Sequence, residues 1–298
     1  MKPHSGPPRA GGDRVYIAGA GKMGLALGDA LLRCGAAATV TFAGRSPKRP
    51  WAPVFGDPRV DWAGSIAAPP GTTTVALLAV PDGALPEVAD RLASHPAPRG
   101  CVALHLSGAL TASVLEPLSA AGYAVGTLHP LQTVADPETG ALRLRGCAFA
   151  IGGEPQALAA ARRLVADLAD QILVVPPLAR PSYHAAAVIA SNYLVALLGL
   201  AVRQLEPLGL DETAAVRALL PLVRGTLDNV ETRGLADALT GPIARGDADT
   251  VRLHLARLSA EDRGLYCALG REALRVATRA GLPEHRAEQI AALLSEAP

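Results

Sequence analysis

Residues Val15-Tyr16-Ile17-Ala18-Gly19-Ala20-Gly21-Lys22-Met23-Gly24 join an apolar segment directly to a G-x-G-x-x-G pattern. Gly19 permits a tight turn out of a strand, Gly21 lets the backbone approach a pyrophosphate, and Gly24 lets the next helix pack closely on the sheet. Apolar positions then recur at helical spacing until Cys34-Gly35. The stretch therefore predicts a dinucleotide site at the N-terminus of a helix, where the helix dipole favours an anion. A plain glycine-rich turn is the alternative. The predicted cofactor contacts are Gly19, Ala20, Gly21, Lys22, Met23 and Gly24.

The next β-rich segment, Ala38-Thr39-Val40-Thr41-Phe42-Ala43, indicates which dinucleotide binds. An NAD site normally places Asp or Glu about 20 residues beyond the glycine pattern, where it accepts a hydrogen bond from the ribose 2′-hydroxyl. This chain has Gly44 there, followed by Arg45 and Ser46. Arg45 can pair with a 2′-phosphate and Ser46 can donate to it, so we expect NADP(H). A solvated basic loop is the alternative.

Composition limits the possible classes of protein. The 298 residues suit two domains, and a formal net charge of +1 argues against a nucleic-acid or membrane-surface partner. The first thirteen residues are rich in proline and glycine and predict a disordered lead, not a signal peptide. The four cysteines form no C-x-x-C pair, which indicates a reducing, cytoplasmic environment without a metal site. They are Cys34, Cys101, Cys147 and Cys267.

The order of the predicted elements indicates two domains. After the second strand, apolar strands alternate with helices as far as Val175, which is typical of a mostly parallel, doubly wound α/β sheet of the Rossmann type. After Pro176-Pro177 and Pro181 nearly every segment has a helical pattern. We therefore predict a lead at 1–13, an NADP-binding Rossmann-like domain at 14–177 and an all-α domain for substrate binding and dimerisation at 178–298.

One segment is apolar over nearly its whole length. Ala185 to Val202 is about long enough to span a membrane, but Ser191 and Asn192 interrupt it and no second such segment exists. We expect a buried central helix and no membrane partner.

Ligands bind at the carboxyl ends of strands in open α/β sheets. Three such ends carry polar groups: Asp82 after Val80-Pro81, Ser107 after the strand at 101–106, and His129 after the strand at 125–128. We expect them to face one crevice, with Val80, Pro81 and Ser107 contacting the cofactor. A Ser-Gly turn would explain Ser107 almost as well.

The chain resembles a family of predicted oxidoreductases that join a Rossmann-like domain to a helical C-terminal domain of unassigned function. The matching motifs are Val80-Pro81-Asp82, Leu106-Ser107-Gly108-Ala109-Leu110, His129-Pro130-Leu131-Gln132-Thr133, Tyr183-His184-Ala185-Ala186-Ala187, Ser191-Asn192-Tyr193 and Ala238-Leu239-Thr240-Gly241-Pro242-Ile243-Ala244-Arg245-Gly246-Asp247. In architecture this family looks like the group that contains pyrroline-5-carboxylate reductase, ketopantoate reductase and prephenate dehydrogenase. The resemblance implies an active site between the two domains, often in a dimer, and ketopantoate as the leading substrate.

Reduction of a carbonyl needs an acid beside the developing negative charge. Common ketopantoate reductases use a lysine on the first helix of the helical domain, but this chain has only Lys2, Lys22 and Lys48. His184 is the first candidate for the proton donor and His129 the second, because histidine titrates near neutral pH. Asn192 would orient the carbonyl. A capping or core role for His184 is the alternative.

For the rest of the substrate, we expect contacts from Ser191, Thr240 and Arg245. Ser191 shares a helix face with His184, and Arg245 could bind a carboxylate through two hydrogen bonds. A loop stabilised by an Arg245–Asp247 ion pair is the alternative.

The sequence thus predicts an NADPH-dependent reductase of a small carboxylated carbonyl compound that forms a homodimer. An imine reductase of the pyrroline-carboxylate type, a deazaflavin-linked NADP reductase and a non-catalytic NADPH sensor are the alternatives.

Overall fold

The protein is described by a computed structural model over residues 11–295. Its first part contains an eight-stranded sheet with the strand order β3-β2-β1-β4-β5-β6-β7-β8. The strands are β1 (Asp13–Ala18), β2 (Ala37–Gly44), β3 (Val60–Ser65), β4 (Val75–Leu78), β5 (Val102–His105), β6 (Ala124–Pro130), β7 (Ala148–Gly153) and β8 (Gln171–Val174).

Neighbouring strands from β3 to β6 are parallel, β7 is antiparallel to β6, and β8 is parallel to β7. The central strands β4 and β5 are buried at every position because helices cover both faces of the sheet. The predicted mostly parallel, doubly wound sheet is confirmed. Because β1, β4, β5 and β6 are parallel, their carboxyl ends lie at one edge of the sheet.

Two apolar cores lie on opposite faces of the sheet. One is formed with helices α1 (Lys22–Arg33), α4 (Pro137–Arg143) and α5 (Pro155–Val165). The other is formed with α2 (Leu85–Ala93) and α3 (Glu116–Ala120).

Three local expectations were wrong. We predicted no strand over β3, whose side chains alternate between half-buried and exposed at the sheet edge and therefore lack a continuous apolar pattern. The disordered lead ends earlier than predicted, because Asp13 already pairs with β2 and its carboxylate binds Arg163; residues 1–10 of that lead lie outside the described part. Where the alternation of strands and helices predicted one helix after β5, residues 112–115 instead form a 3₁₀ turn, which is followed by α3 with proline at its start.

The second part is helical, as predicted. It contains α6 (Arg180–Arg203), α7 (Glu212–Ala238), α8 (Pro242–Arg245), α9 (Ala248–Arg257), α10 (Ala260–Arg279) and α11 (Glu284–Ser295). The polar loop predicted over 240–247 includes the one-turn helix α8. The described chain divides into two compact units that meet between Asn192 and Tyr193, inside α6. The functional boundary that we placed at 177/178 stays a prediction.

The prediction that α6 is a buried central helix was wrong. The segment Pro177–Leu208 is long and apolar enough to cross a membrane by length and composition, and only 6% of its most apolar window is buried. Ile189 is 60% exposed and Val195 is 70% exposed. Apolar residues occur all around α6, so one neighbouring surface cannot cover them.

Candidate functional site

The glycine turn after β1 has the geometry that its sequence predicted. Gly19 has a φ of 117°, and a Cβ on it would lie 2.2 Å from the Ala79 carbonyl oxygen. A Cβ on Gly24 would lie 2.2 Å from the Gly19 carbonyl oxygen, so both positions require glycine. Gly21 caps α1 without a side-chain hydrogen bond, and no acidic residue lies in the first turn. The N–H groups at the start of α1 are thus free for an anion.

The loop after β2 presents positive charge without a carboxylate. A Cβ on Gly44 would lie 2.7 Å from the Trp62 ring, so the indole contacts the place where NAD enzymes carry Asp or Glu. Arg45 and Ser46 are exposed, and the backbone N–H of Lys48 donates to the Ser46 hydroxyl over 3.1 Å. Within residues 11–295, no carboxylate pairs with Arg45. This loop can therefore accept an additional phosphate.

The residues that we predicted to contact the cofactor at the ends of β4 and β5 differ in how freely they could bind it. Val80 is half-buried and Pro81 is exposed at the sheet edge. The Ser107 hydroxyl donates to the Asp82 carboxylate over 2.8 Å and accepts from the N–H groups of Ala109 and Leu110 over 3.2 and 3.0 Å. Its hydrogen and both of its lone pairs are already used, so in this conformation Ser107 shapes the turn and has no hydrogen bond left to offer a ligand.

A cluster of three ring side chains lies at the carboxyl end of β6, where His129 meets the start of α6. The His129 Nδ1 atom lies 2.6 Å from the Tyr183 hydroxyl. The rings of His129 and His184 meet edge to face with their centroids 6.3 Å apart. Gly108 lies against both imidazoles, because a Cβ on it would lie 2.7 Å from His184 Nδ1 and 2.9 Å from His129 Nε2. We call His129, Tyr183 and His184 the ring cluster.

Burial determines the protonation of the ring cluster. Desolvation, helped by the nearby His184 and Arg180, lowers the pKa of His129 to about 4. Desolvation raises the pKa of the Tyr183 hydroxyl to about 12. At neutral pH His129 is therefore an uncharged imidazole and Tyr183 a protonated phenol. The Nδ1 atom of His184 is buried and has no hydrogen-bond partner, which leaves one nitrogen in the cluster unsatisfied.

Arg180 holds the backbone beneath the ring cluster. Its side chain is 1% exposed, and Nη1 donates to the carbonyls of Ser107 and Gly108 over 3.0 and 3.2 Å. Nη2 donates to the Thr127 hydroxyl on β6. The guanidinium thus ties the start of α6 to two neighbouring strands, which places His184 against Gly108 and Tyr183 against His129.

His105 lies inside β5 and has a structural role. Its Nε2 lies 3.0 Å from the Thr111 carbonyl and its Nδ1 accepts from the Ser107 N–H over 3.2 Å. Burial lowers its pKa to about 4, so it is a neutral core histidine.

The remaining predicted site residues lie outside the ring cluster. Ser191 and Asn192 are exposed on α6, about 10 and 12 Å along the axis from His184 at 1.5 Å per residue. Thr240 and Arg245 belong to the helical unit and are exposed. Arg245 has no ion pair within residues 11–295, since the Asp247 carboxylate instead accepts from the N–H and hydroxyl of Thr250 and caps α9. The ion-pair alternative is therefore not what the structure shows.

Two residues of this region were missed as site candidates. Arg180 and Tyr183 lie four and one positions before His184, so Arg180 and His184 share a face of α6. That i, i+3, i+4 spacing was the available signal, but only the folded chain shows that both side chains contact the ends of β5 and β6.

Comparison with known proteins matches two stretches of the chain to two families, and the second stretch begins within the sheet, just before β7. Residues 4–130 match the family described as a Rossmann-like domain, and residues 147–273 match a domain of unknown function, DUF2520. A search of the curated proteins finds no match.

Several solved structures share the fold. A protein from Thermotoga maritima is 24% identical with a TM-score of 0.63, over 92% of this chain and 98% of the other. The NADP-bound pyrroline carboxylate reductase of Plasmodium falciparum is 14% identical with a TM-score of 0.58, over 94% and 98%. A reductive aminase from Aspergillus terreus, in complex with NADPH and ethyl levulinate, is 18% identical with a TM-score of 0.60, over 96% and 94%. The chain therefore joins a Rossmann-like domain to a DUF2520 domain, the domain pair of the predicted oxidoreductase family that its sequence resembles.

Proposed function

We propose that the protein is an NADPH-dependent reductase of a small carboxylated carbonyl compound, with ketopantoate as the leading substrate. One observation carries the proposal. The glycine turn lies at the carboxyl end of β1 and the ring cluster at the carboxyl end of β6, and these two strands are parallel in one sheet. That edge is where open α/β sheets bind their ligands.

The residues present fit NADP(H). The uncapped N–H groups of α1 would hold the pyrophosphate, and Arg45 with Ser46 would hold the 2′-phosphate. The absence of a carboxylate at Gly44 removes the charge that would repel that phosphate.

When bound, the reduced nicotinamide supplies a hydride to the substrate carbon. The chain must supply the proton, and that requires a group that carries one at neutral pH. Tyr183 is protonated there, whereas His129 is an uncharged imidazole at the Tyr183 hydroxyl. We therefore add Tyr183 to His184 and His129 as a proton donor: its hydroxyl would deliver the proton while His129 holds it in position. The buried Nδ1 of His184 remains available to a reacting group that enters the cluster.

Imine reduction is the second candidate. Among the solved structures with this fold are a pyrroline carboxylate reductase, a reductive aminase and an imine reductase. The same donors would protonate the nitrogen of a reduced imine. A deazaflavin-linked reductase and a non-catalytic NADPH sensor would use the same nucleotide site, and the assay below separates the sensor from a reductase of carbonyl or imine substrates.

A turnover assay tests the proposal. Purified protein is given NADPH with ketopantoate, other 2-oxo acids or pyrroline-5-carboxylate, and NADH replaces NADPH as a control. We expect saturable oxidation of NADPH with one substrate class and a loss of that activity in Tyr183→Phe. Tyr193→Phe, on an exposed part of the same helix, is the matched control. Tight NADPH binding without turnover on any substrate would contradict the reductase and favour the sensor.

We also propose that the enzyme is a cytoplasmic homodimer whose partner copy covers the apolar surfaces of α6 and α7. Only Ala215 and Ala238 are buried among the 27 residues of α7. Leu222 and Leu235 on it are each 68% exposed, and such apolar surface is typical of an obligate interface. The four cysteines are free, in agreement with a reducing compartment.

Sedimentation velocity of the purified protein tests the dimer. We expect a dimer that Val195→Asp converts to a monomer, because a buried unpaired carboxylate is costly. Leu142→Asp on α4, at a residue 64% exposed, is the matched control and should leave the dimer intact. A native protein that sediments as a monomer both with and without detergent would contradict this interface.

A further inference from the structure

The buried guanidinium of Arg180 is not balanced by a carboxylate. Within residues 11–295, no Asp or Glu oxygen lies within 4 Å of it. An arginine has five N–H donors. In the structure, those of Arg180 donate to the Ser107 and Gly108 carbonyls and to the Thr127 hydroxyl. The burial that lowers the pKa of this guanidinium has no compensating anion among the described residues.

Arg180 also forms part of the wall of a groove. The groove has a volume of about 700 Å³, which is within the range of small-molecule sites. It lies between the segment that leads into α3 and the strands β6 and β7, and its walls do not include His129, Tyr183 or His184. It is therefore separate from the ring cluster, although Arg180 in its wall also binds the carbonyl of Gly108, the residue that lies against the two imidazoles.

The groove carries a positive charge in its buried wall and negative charges on its exposed side chains. Arg180 lies in its buried wall, whereas the exposed Glu116 and Glu154 line it as well. One oxygen of Glu154 accepts from Ser119 over 3.2 Å, which leaves its second oxygen free. A simple anion would be attracted by the buried charge and repelled by the exposed ones. A molecule with a carboxylate at one end and an ammonium at the other complements both.

We propose that this groove binds a small amino acid, with its carboxylate toward Arg180 and its ammonium toward Glu116 and Glu154. Hydroxyls of Thr111 and Ser113 on the same wall offer further hydrogen bonds to the ligand. Arg180 binds the carbonyls of Ser107 and Gly108, and Gly108 lies against the two imidazoles of the ring cluster. A ligand bound to Arg180 would therefore contact a residue that positions the proposed reaction centre.

Nuclear magnetic resonance of the whole labelled protein tests the site with L-alanine, propionate and ethylamine as probes. We expect saturable shifts of the Thr111, Gly152 and Gly153 amides with alanine. Propionate should bind about fourfold or more weakly because it lacks the ammonium, and ethylamine about tenfold or more weakly because it lacks the carboxylate.

Variants of three residues separate the contributions. Glu116→Gln and Glu154→Gln should each weaken the binding of alanine about twofold to fivefold, and neither should weaken the binding of propionate. The exposed Glu138→Gln is the matched control. Arg180→Lys should abolish the shifts, with amide dispersion as the check on folding. Because the glutamate variants lie on the surface, they decide the question even where Arg180→Lys unfolds. Equal binding of alanine and propionate, unchanged binding in the glutamate variants, or no saturable shift with any probe would each overturn the proposal.

Discussion

Replacement of Gly108 by alanine inserts one methyl group between the two histidines of the ring cluster. The added Cβ would lie 2.7 Å from His184 Nδ1 and 2.9 Å from His129 Nε2, whereas ordinary contacts begin at 3.4 Å. The rings would have to withdraw by about 0.7 and 0.5 Å. The φ angle of Gly108 is not positive, so the cost comes from these side-chain contacts and not from the backbone.

Overpacking of this size costs about 1–3 kcal/mol of unfolding free energy, which corresponds to a melting temperature lowered by about 3–10 °C. Displaced rings should also reduce turnover by about tenfold to a hundredfold, because catalysis depends on the placement of the proton donor. Thermal unfolding and NADPH oxidation measure the two effects on the same preparation.

Gly83→Ala is the matched control. Gly83 lies at the same edge of the sheet, is exposed, has no heavy atom within 4 Å of its Cβ position and has no positive φ. We expect its unfolding free energy to change by less than about 0.5 kcal/mol. If Gly108→Ala matches Gly83→Ala in melting temperature and turnover, the contact between Gly108 and the two imidazoles is not the one described.

Three further outcomes are expected. Tyr183→Phe removes the hydroxyl 2.6 Å from His129 Nδ1 and should lower turnover about 10²- to 10⁴-fold with unchanged NADPH affinity by calorimetry; unchanged turnover would exclude Tyr183 as the donor. Arg45→Ala should weaken NADPH about tenfold to a hundredfold and leave NADH unaffected, and equal losses for both cofactors would place Arg45 away from the 2′-phosphate. Burial lowers the pKa values of His105 and His129 from 6.5 to about 4, so the unfolded chain takes up protons that the folded chain does not. Denaturant unfolding should therefore show stability that is full above pH 6.5 and decreases as the pH falls toward 4, by about 3 kcal/mol per histidine; a profile that is flat over that interval would mean that these imidazoles are not desolvated.

Local chemistry was enough to predict the nucleotide half of the molecule. A strand that ends in three correctly spaced glycines leaves few alternatives, because Gly19 needs a positive φ and Gly24 has no room for a side chain. The alternation of apolar strands and helices likewise predicts a doubly wound sheet. The edge strand β3, with its alternating exposure, lacked a sufficient pattern.

The reaction centre depended on the tertiary structure. The sequence does not identify Arg180 and Tyr183 as site residues, because their contacts form only where α6 begins against the ends of β5 and β6. Burial at that place lowers the pKa of His129 and raises the pKa of Tyr183. The exposed state of α6 is equally invisible in sequence, because a continuous apolar segment has the same pattern whether protein, lipid or a second copy covers it. The fold class and the turn that fits a dinucleotide could be predicted from sequence alone, since both leave patterns of glycine and apolar residues over short stretches of the chain. The packing of distant segments alone decided which polar groups meet, because desolvation and hydrogen bonding depend on distance in space and not on spacing along the chain.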